Sequence, residues 1–376
     1  MAECMCMRVD CHSPTCRAFD AYLVMDSELA NLRDRILAAG AARTPLRLRG
    51  AGTKDFYGER LAGEILDTSV YRGIIDYEPS ELVLTARCGT PLSEIESALA
   101  AHGQCFAFEP PRFGGDPTIG GVIATGLSGP RRASAGAARD FVLGAKLLDA
   151  RGELLRFGGQ VMKNVAGFDV PRLLCGSLGI LGLIAEVSIK VLPKPPVDAT
   201  LRFEMDATRA IEQFNRWSAQ PLPISATAWR DGLAFVRLSG APSAVRAAAA
   251  ALGGERFEDA AAAAWWGSVR DHSLDLFQAA SLWRLSVPST ALLRDLPGVV
   301  LIEWAGALRW LTSDAPPQQI REAAVRMGGS AMRWRGAREA SMFHPLDAAS
   351  LELHRRLKAQ FDPDGIFNPG RMVEDL

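Results

Sequence analysis

Two glycine-rich segments contain the residues of this sequence that are best suited to chemistry. Residues 114–126 read GGDPTIGGVIATG, and residues 49–54 read RGAGTK. Small side chains allow many backbone N–H groups to approach one object, and a diphosphate is the natural partner of such donors. The apolar residues Ile119, Val122 and Ile123 argue against a flexible linker. Two anion-binding segments in one half of the chain therefore indicate a dinucleotide held between them.

The spacing of these glycines disfavours two common nucleotide sites. A Rossmann fingerprint needs G-x-G-x-x-G between a strand and a helix, but Asp55 stands where the third glycine should be. A P-loop needs G-K-S or G-K-T, and neither Thr53-Lys54 nor Lys163-Asn164 supplies it. Rossmann-type NAD binding and hydrolysis of nucleoside triphosphates are therefore both disfavoured.

The bulk composition is that of a globular protein without a strongly charged partner. The chain has 376 residues, 48% of them hydrophobic, and a net charge of −1. Neither nucleic acid nor an anionic membrane is an expected partner at this charge. No apolar run reaches the ~18–20 residues of a membrane span, so no transmembrane segment is expected. The length allows two domains.

The seven cysteines indicate no metal site. Cys88, Cys105 and Cys175 are scattered, as small core residues in a reducing compartment are. Four more crowd the first sixteen residues, but their C-x-C-x4-C-x4-C spacing lacks the paired C-x-x-C of common zinc and iron–sulfur sites. Residues 1–24 also lack periodicity and a signal-peptide core. We expect them to be a disordered extension, or one that results from the choice of start codon.

Helices and strands are expected to alternate along the first half of the chain. Ser27 is a predicted helix cap and Gly40 the matching stop, and Thr90 with Pro91 is predicted to start a second helix. Alternation in residues 45–49 predicts a half-buried strand that leads into the first glycine-rich segment. Further strands are predicted at residues 64–67, 82–86, 141–148, 153–157 and 183–191.

The proline-rich residues 192–196 break this pattern and predict a domain boundary. An alanine-rich part follows, with strands predicted at residues 233–238 and 299–304 and with tryptophans that we interpret as core residues. Leu346, Leu353 and Leu357 predict a final helical face before an ordered turn. The predicted domains after the N-terminal extension are residues 25–196, 197–335 and 336–376.

Taken in order, these segments resemble the FAD-binding fold of the vanillyl-alcohol oxidase and p-cresol methylhydroxylase (PCMH) type. The matching residues are 49–53, 116–121, 126–129, 139–140, 176–184 and 368–370. The resemblance implies an α+β protein with a two-subdomain PCMH-type FAD-binding domain and a smaller α+β cap domain. It also implies a C-terminal segment that returns to the FAD-binding domain.

Three segments narrow the resemblance. Residues 47–58, 161–169 and 343–346 are similar to the family of FAD-binding subunits of bacterial glycolate oxidase (glycolate dehydrogenase). That family implies a complex with a second FAD-containing catalytic subunit and an iron–sulfur subunit, in which glycolate, a small 2-hydroxy acid, is oxidised to glyoxylate. It implies a cytoplasmic protein, with peripheral attachment to the inner membrane through the complex as an open alternative.

The resemblance also implies the cofactor site. FAD is expected to bind without a covalent bond, because the first glycine-rich segment lacks the histidine that the wider family uses for attachment. No metal is expected. The residues implied in FAD binding are Arg49, Gly50, Ala51, Gly52, Thr53, Lys54, Pro111, Thr118, Ile119, Gly120, Gly121, Thr125, Gly126, Ser128, Gly129, Arg139, Asp140, Gly182, Ile184 and Asn368.

The catalytic residues stay unassigned. Family members that oxidise 2-hydroxy acids carry a histidine cluster, whereas the five histidines here are dispersed and only His272 lies in the predicted cap. Lys163, Asn164 and Asn368 are candidates for polar contact near the flavin. Three functions stay open: an electron-carrying FAD subunit, a self-sufficient FAD-dependent dehydrogenase of D-lactate or glycolate, and a scaffold subunit with a weakened flavin site.

Overall fold

The computed structural model describes residues 26–159, 168–293, 298–336, 341–374 and 376. The helices are α1 (Ser27–Ala42), α2 (Leu92–Ala101), α3 (Ile119–Thr125), α4 (Arg132–Ala135), α5 (Val170–Leu174), α6 (Ala207–Ser218), α7 (Pro242–Leu252), α8 (Asp259–Arg270), α9 (Pro317–Arg326) and α10 (Ala348–Phe361). The strands up to the predicted domain boundary are β1 (Leu46–Arg49), β2 (Glu64–Asp67), β3 (Ile74–Glu78), β4 (Val83–Arg87), β5 (Gln104–Cys105), β6 (Val142–Leu148), β7 (Leu154–Gly158), β8 (Leu183–Lys190) and β9 (Leu192–Pro193). The later strands are β10 (Val197–Glu204), β11 (Ile224–Arg230), β12 (Leu233–Gly240), β13 (Glu255–Phe257), β14 (Leu282–Ser286), β15 (Val299–Glu303), β16 (Leu308–Thr312) and β17 (Ser330–Arg335).

Helix α1 buries the apolar face that its sequence predicts, with Leu29, Leu32 and Ile36 at most 3% exposed. Its boundaries differ from the prediction. The cap is Asp26, whose carboxylate accepts from the N–H of Glu28, because a residue one position earlier is better placed to reach the first free amides. The helix also continues past Gly40 and ends at Arg43 in the left-handed conformation.

The first glycine-rich segment begins where β1 ends. Strands β1 and β2 pair in parallel, with Leu48 opposite Leu66. Leu46 and Leu66 are buried against α1, which fixes the direction in which the chain leaves the strand at Arg49. The expected strands at residues 45–49 and 64–67 are confirmed to within one residue.

A five-stranded antiparallel sheet forms the second layer, in the order β3-β4-β8-β6-β7. Helices α2 and α3 contribute Leu92, Ile95, Ile119 and Val122 to its core, and all four are at most 1% exposed. Helix α2 begins one residue later than predicted, with Pro91 as its cap residue. The hydroxyl of Thr90 instead donates to the carbonyl of Arg87.

An eight-stranded sheet contains every described strand between Val197 and Arg335, in the order β13-β10-β12-β11-β15-β16-β14-β17. Its helices pack large side chains into three hydrophobic clusters. Trp283 and Trp310 are fully buried, and Trp266, Trp304 and Trp334 are at most 5% exposed. These tryptophans therefore fill the core, as the sequence predicts. None of the described helices is long and apolar enough to span a membrane.

The C-terminal residues return to the first glycine-rich segment. Phe367 forms a bridge with Leu46, and the N–H of Leu46 donates to the carbonyl of Ile366 at 2.7 Å. The expected apolar face of the last helix is wrong in part: Leu346 precedes α10, and Leu353 is 58% exposed. The buried residue of α10 is Lys358. Its ammonium group forms three hydrogen bonds, so the helix is held by polar contacts where the sequence predicted apolar ones.

Candidate functional site

The two glycine-rich segments lie against each other although about sixty residues separate them in the chain. A Cβ atom on Gly50 would clash with the hydroxyl of Thr118 and lie 3.1 Å from its Cγ2. A Cβ atom on Gly115 would lie 2.7 Å from Cγ2 of Thr53. Each contact joins one segment to the other, and each leaves room only for glycine. We call the cleft between the segments the cradle.

The cradle is lined by both segments, by the stretch after β1 and by the C-terminal turn. Its lining comprises Arg47, Leu48, Arg49, Gly50, Ala51, Gly52, Thr53, Lys54, Asp55, Arg60, Leu61, Ala62, Pro117, Thr118, Gly121, Ala124, Thr125, Leu178, Asn368 and Arg371. Ten of the residues that the resemblance implies in FAD binding are among these.

The first segment supplies the free backbone donors of the cradle. The described residues offer no hydrogen-bond acceptor to the N–H groups of residues 50–54. The second segment differs from the prediction because residues 119–125 form helix α3, capped by Thr118. The N–H of Ile119 donates to Thr90 and that of Gly120 to Cys88. These two amides are therefore occupied, and the prediction that they face a diphosphate is wrong.

The charge of the cradle suits an anion. Its lining includes the five cations Arg47, Arg49, Lys54, Arg60 and Arg371 and the single carboxylate of Asp55. That carboxylate accepts from the Nε of Arg49 at 2.9 Å and from Arg47 at 2.5 Å, so it neutralises only part of the positive charge. These two arginines hold the pKa of Asp55 below its usual value against the opposing effect of burial.

Lys54 has no acidic partner in the described part of the chain. It is 8% exposed, and its Nζ donates to the hydroxyl of Thr53 at 3.3 Å and lies 5.8 Å from the ring centre of Phe113. Burial lowers the pKa of Lys54 to about 8, because the charged form has lost water without gaining an anion. A diphosphate in the cradle would supply that anion.

The C-terminal turn holds the cradle together. Oδ1 of Asn368 accepts from the N–H of Leu48 at 2.8 Å, and its Nδ2 donates to the carbonyl of Leu178 at 2.6 Å. The guanidinium of Arg371 donates to the carbonyls of Lys54 and Asp55. Both side chains therefore position the first glycine-rich segment. The importance of Arg371 was not predicted, although it directly follows the matching Asn-Pro-Gly turn.

Several residues implied in FAD binding do not line the cradle. Ser128 accepts from the N–H of Ala138, and the carbonyl of Gly129 accepts from the indole of Trp304. Asp140 accepts from the N–H of Ala137. The others outside the cradle lining are Pro111, Ile119, Gly120, Gly126, Arg139, Gly182 and Ile184. Lys163 and Asn164 lie outside the described residues.

A larger cavity of about 1030 Å³ adjoins the cradle and shares Arg60, Leu61 and Leu178 with it. We call it the interdomain cavity, because residues before 197, the eight-stranded sheet and the C-terminal segment all line it. Its other lining residues are Tyr57, Glu59, Gly176, Arg284, Ser286, Ser330, Met332, Ser341, Phe343, His344, Pro345, Leu346, Leu351, His354, Gly370, Met372, Val373 and Glu374.

Arg284, which lines this cavity, and two titratable groups near it, His272 and Glu303, were not predicted as a set. Burial raises the pKa of Glu303 to about 7, with its Oε1 accepting from the indole of Trp310 at 2.8 Å. Burial lowers the pKa of His272 to about 3, with its ring stacked on Phe277. Burial also lowers the pKa of Arg284. The signal for Arg284 was available in sequence, since it is a lone charge in the strand LWRLS.

The donor set fits the diphosphate of FAD. The cradle combines free amides, excess positive charge and two glycine positions that any side chain would fill. The adjoining cavity is large enough for a planar ring system between the two parts of the protein.

Comparisons with known proteins agree with this geometry. Residues 21–158 match the family model described as "FAD binding domain", and residues 318–372 match "FAD linked oxidases, C-terminal domain". The structure is similar to that of alkyldihydroxyacetonephosphate synthase, with a TM-score of 0.63 at 15% identity over 90% of this chain and 74% of that one. Fold and site thus define an FAD-dependent oxidoreductase subunit with a PCMH-type α+β fold.

Sequence relatives narrow the class. The chain is 45% identical to glycolate oxidase subunit GlcE of Escherichia coli K12, over 92% of this chain and 97% of that protein. It is 34% identical to glycolate oxidase subunit GlcD of Bacillus subtilis 168, over 42% of this chain and 34% of that protein. The chain belongs to the GlcE family of FAD-binding glycolate oxidase subunits.

Proposed function

We propose that this chain is an electron-carrying FAD subunit of a complex that oxidises glycolate to glyoxylate. The complex would also contain a second FAD-containing catalytic subunit and an iron–sulfur subunit that receives the electrons. The support is the 45% identity to GlcE over nearly the whole chain. The single structural observation that carries the proposal is the contact of Gly50 with Thr118, which creates the cradle.

FAD supplies the two-electron redox chemistry when it is bound. The residues of the chain bind and orient it: the amides of residues 50–53 and the ammonium of Lys54 would hold the diphosphate, with Thr118 and Thr125 beside them. The eight-stranded sheet and Phe343 would shield the ring system from water in the interdomain cavity. The remaining implied FAD contacts, except the occupied amides of Ile119 and Gly120, and the domain limits at residues 196 and 335 are part of the same proposal.

We further propose that FAD is held without a covalent bond. The support is that the first glycine-rich segment, residues 49–54, lacks the histidine that the wider family uses for attachment. The flavin should therefore leave with the supernatant when the protein is precipitated by acid. Flavin that stays with the precipitated polypeptide would contradict this part of the proposal. We also propose that the protein is cytoplasmic and contacts the membrane only through its partner subunits.

The complex itself tests the proposal. The chain would be co-expressed with the neighbouring subunits and purified, and flavin and iron would be counted. Glycolate-driven dye reduction would then be measured with this chain present or omitted. The proposal requires one additional FAD per chain and a loss of dye reduction when the chain is omitted. Undiminished dye reduction without it would reject the electron-carrying role, and a colourless chain would favour a scaffold.

A self-sufficient 2-hydroxy-acid dehydrogenase is the second candidate, favoured by the size of the interdomain cavity. Against it, the described residues contain no cluster of three or more His, Cys, Asp and Glu that could hold a metal ion. Anaerobic addition of glycolate or D-lactate to the isolated yellow protein separates the two candidates. Rapid bleaching would support the dehydrogenase, and an unchanged spectrum would support the electron carrier.

A further inference from the structure

The interdomain cavity contains a cation that the described residues do not neutralise. Arg284 lies in β14, between Trp310 of β16 and Met332 of β17, and its side chain lines the cavity. The guanidinium carbon lies 5.2 Å from the ring centre of Trp304 and 6.0 Å from that of Trp310. It forms neither a hydrogen bond nor an ion pair with any residue in the described ranges.

None of the described groups around Arg284 pairs with its guanidinium. Tyr57 lines the same cavity, and burial raises the pKa of its phenol, which keeps it neutral. Glu303 faces the indole of Trp310, and its pKa of about 7 shows that Arg284 stabilises its charge less than burial disfavours it. Arg132 adds a second positive charge on Trp304, 4.5 Å from the ring centre.

Arg284 is partly buried, and a guanidinium that has lost part of its water without gaining a counterion carries a desolvation cost, since aromatic faces replace only part of its hydration. In proteins such a group is normally paired. An anion that enters the cavity from solution and pairs with Arg284 would offset this desolvation cost. The planar fork of arginine matches the two oxygens of a carboxylate.

The wall beside Arg284 suits a small hydroxylated acid. Ser286 and Ser330 are opposite each other in the β14–β17 register, and both line the cavity with the phenol of Tyr57. Met332 and Phe343 supply apolar contacts on the same wall. The guanidinium of Arg284, several hydroxyl groups and a short apolar surface on this wall together favour a compact carboxylate. The carboxylates of Glu59 and Glu374, which also line the cavity, disfavour a highly charged anion.

We propose that Arg284 binds the carboxylate of a small 2-hydroxy acid in the interdomain cavity. The identity of the acid rests on the proposed function. The inference extends that function, because the chain would contact substrate or product itself in addition to carrying electrons. The cradle residues are not assigned a role in binding this carboxylate, because Arg284 does not line the cradle.

Binding of oxalate and glycolate to the full chain saturated with FAD tests the inference. Oxalate is a probe because it resembles the substrate and product but offers no hydroxyl carbon to oxidise. Calorimetry and the flavin difference spectrum should show one site. Arg284→Met should weaken oxalate binding at least tenfold, and Arg284→Lys should weaken it less, because the charge remains but the fork is lost.

Arg333→Met is the matched control. Arg333 lies in the same sheet with its guanidinium carbon 5.1 Å from the ring centre of Trp283, and it does not line the cavity. Its substitution should leave oxalate affinity unchanged. Should Arg284→Met fail to fold, the Arg284→Lys variant still decides, since unaltered oxalate affinity in it would overturn the inference.

Two further outcomes separate this inference from the proposed function. A yellow wild-type chain that binds neither oxalate nor glycolate would overturn the inference and leave the electron-carrying role intact. A wild-type chain that fails to bind FAD would reject the proposed function instead. A shifted flavin midpoint potential in Arg284→Met with unchanged oxalate affinity would assign Arg284 to the flavin and also overturn the inference.

Discussion

Gly50 packs directly on the side chain of Thr118, so that no side chain larger than hydrogen fits between the two segments that form the cradle. Gly50 has no left-handed backbone conformation, and the restriction is therefore one of space. Any group added there must push Thr118 away or move the first glycine-rich segment.

Gly50→Ala should consequently reduce FAD affinity by at least tenfold, or by about 1.4 kcal/mol, because the methyl group separates the two walls of the cradle. The affinity would be measured by fluorescence titration of the apoprotein with FAD. Gly267→Ala is the control. Gly267 lies inside helix α8, and a Cβ added to it would meet no atom within 4 Å. Equal FAD affinity in the two variants would contradict the steric explanation.

Asn368 should couple stability to FAD binding. Asn368→Ala removes the hydrogen bonds to Leu48 and Leu178, and the loss of buried partners costs about 1–3 kcal/mol of unfolding free energy. The variant should also bind FAD more weakly, because β1 leads into the cradle. Urea unfolding and FAD titration would measure the two effects.

Asn215→Ala is the matched control for Asn368. Its amide donates to the carbonyls of Ile211, Ser289 and Ala305, far along the chain from the cradle. We expect a similar loss of stability and an unchanged FAD affinity. If Asn368→Ala were equally destabilised yet bound FAD as the wild type does, the positioning role of the C-terminal turn would be wrong.

Lys54 should make FAD binding dependent on pH. Its pKa of about 8 in the free protein means that it is charged at pH 7 and mostly neutral above about pH 9. Diphosphate favours the charged form, so binding above the free pKa requires proton uptake, and FAD affinity should fall by up to about tenfold per pH unit there. Lys54→Met should bind FAD more weakly at pH 7 and show a flatter profile. A flat wild-type profile would contradict this role.

The same lowered pKa has the opposite consequence for the stability of the apoprotein. Between pH 8 and the usual lysine pKa of 10.5, the unfolded chain binds more protons at Lys54 than the folded chain, so the unfolding free energy should rise with pH. The full rise is up to about 3 kcal/mol for this shift. Urea unfolding of the wild type and of Lys54→Met across this range would measure the difference.

Lys358 should anchor the C-terminal helix. Its Nζ donates to the carbonyls of Ile180 and Phe367 and to Asp362 at 2.6–2.8 Å. Lys358→Met leaves the fully buried carboxylate of Asp362 without its cation, a change that costs about 3–5 kcal/mol. Arg356→Met, which breaks the exposed pair with Glu352 on the same helix, should change the unfolding midpoint little. Equal midpoints for both variants would refute the anchor.

Local patterns predicted much of the fold, because they depend on nearby residues. The alternation of apolar and polar residues predicted β1, and the spacing of Leu29, Leu32 and Ile36 predicted α1. Helix α3 was not predicted, since Gly120 and Gly121 are poor helix formers; burial of Ile119, Val122 and Ile123 outweighs that preference. Strand β14 was also not predicted, because its pairing partners β16 and β17 lie far away in sequence.

The site was predictable only where composition carries the signal. Glycine content marked both segments of the cradle, and Asn368 followed from the family turn. The unpaired states of Lys54 and Arg284 could not be predicted, because a missing partner is a property of three-dimensional surroundings. The buried position of Lys358 could not be predicted either, because a lysine on an otherwise exposed helix is normally expected to be a solvated charge.

A crystal structure of the chain purified with FAD would test the cradle most directly. The diphosphate oxygens should lie within about 3.2 Å of the backbone nitrogens of residues 50–53, with Nζ of Lys54 turned toward them and the ring system in the interdomain cavity. A diphosphate bound elsewhere, or amides of residues 50–53 turned away from it, would contradict the assignment of these segments.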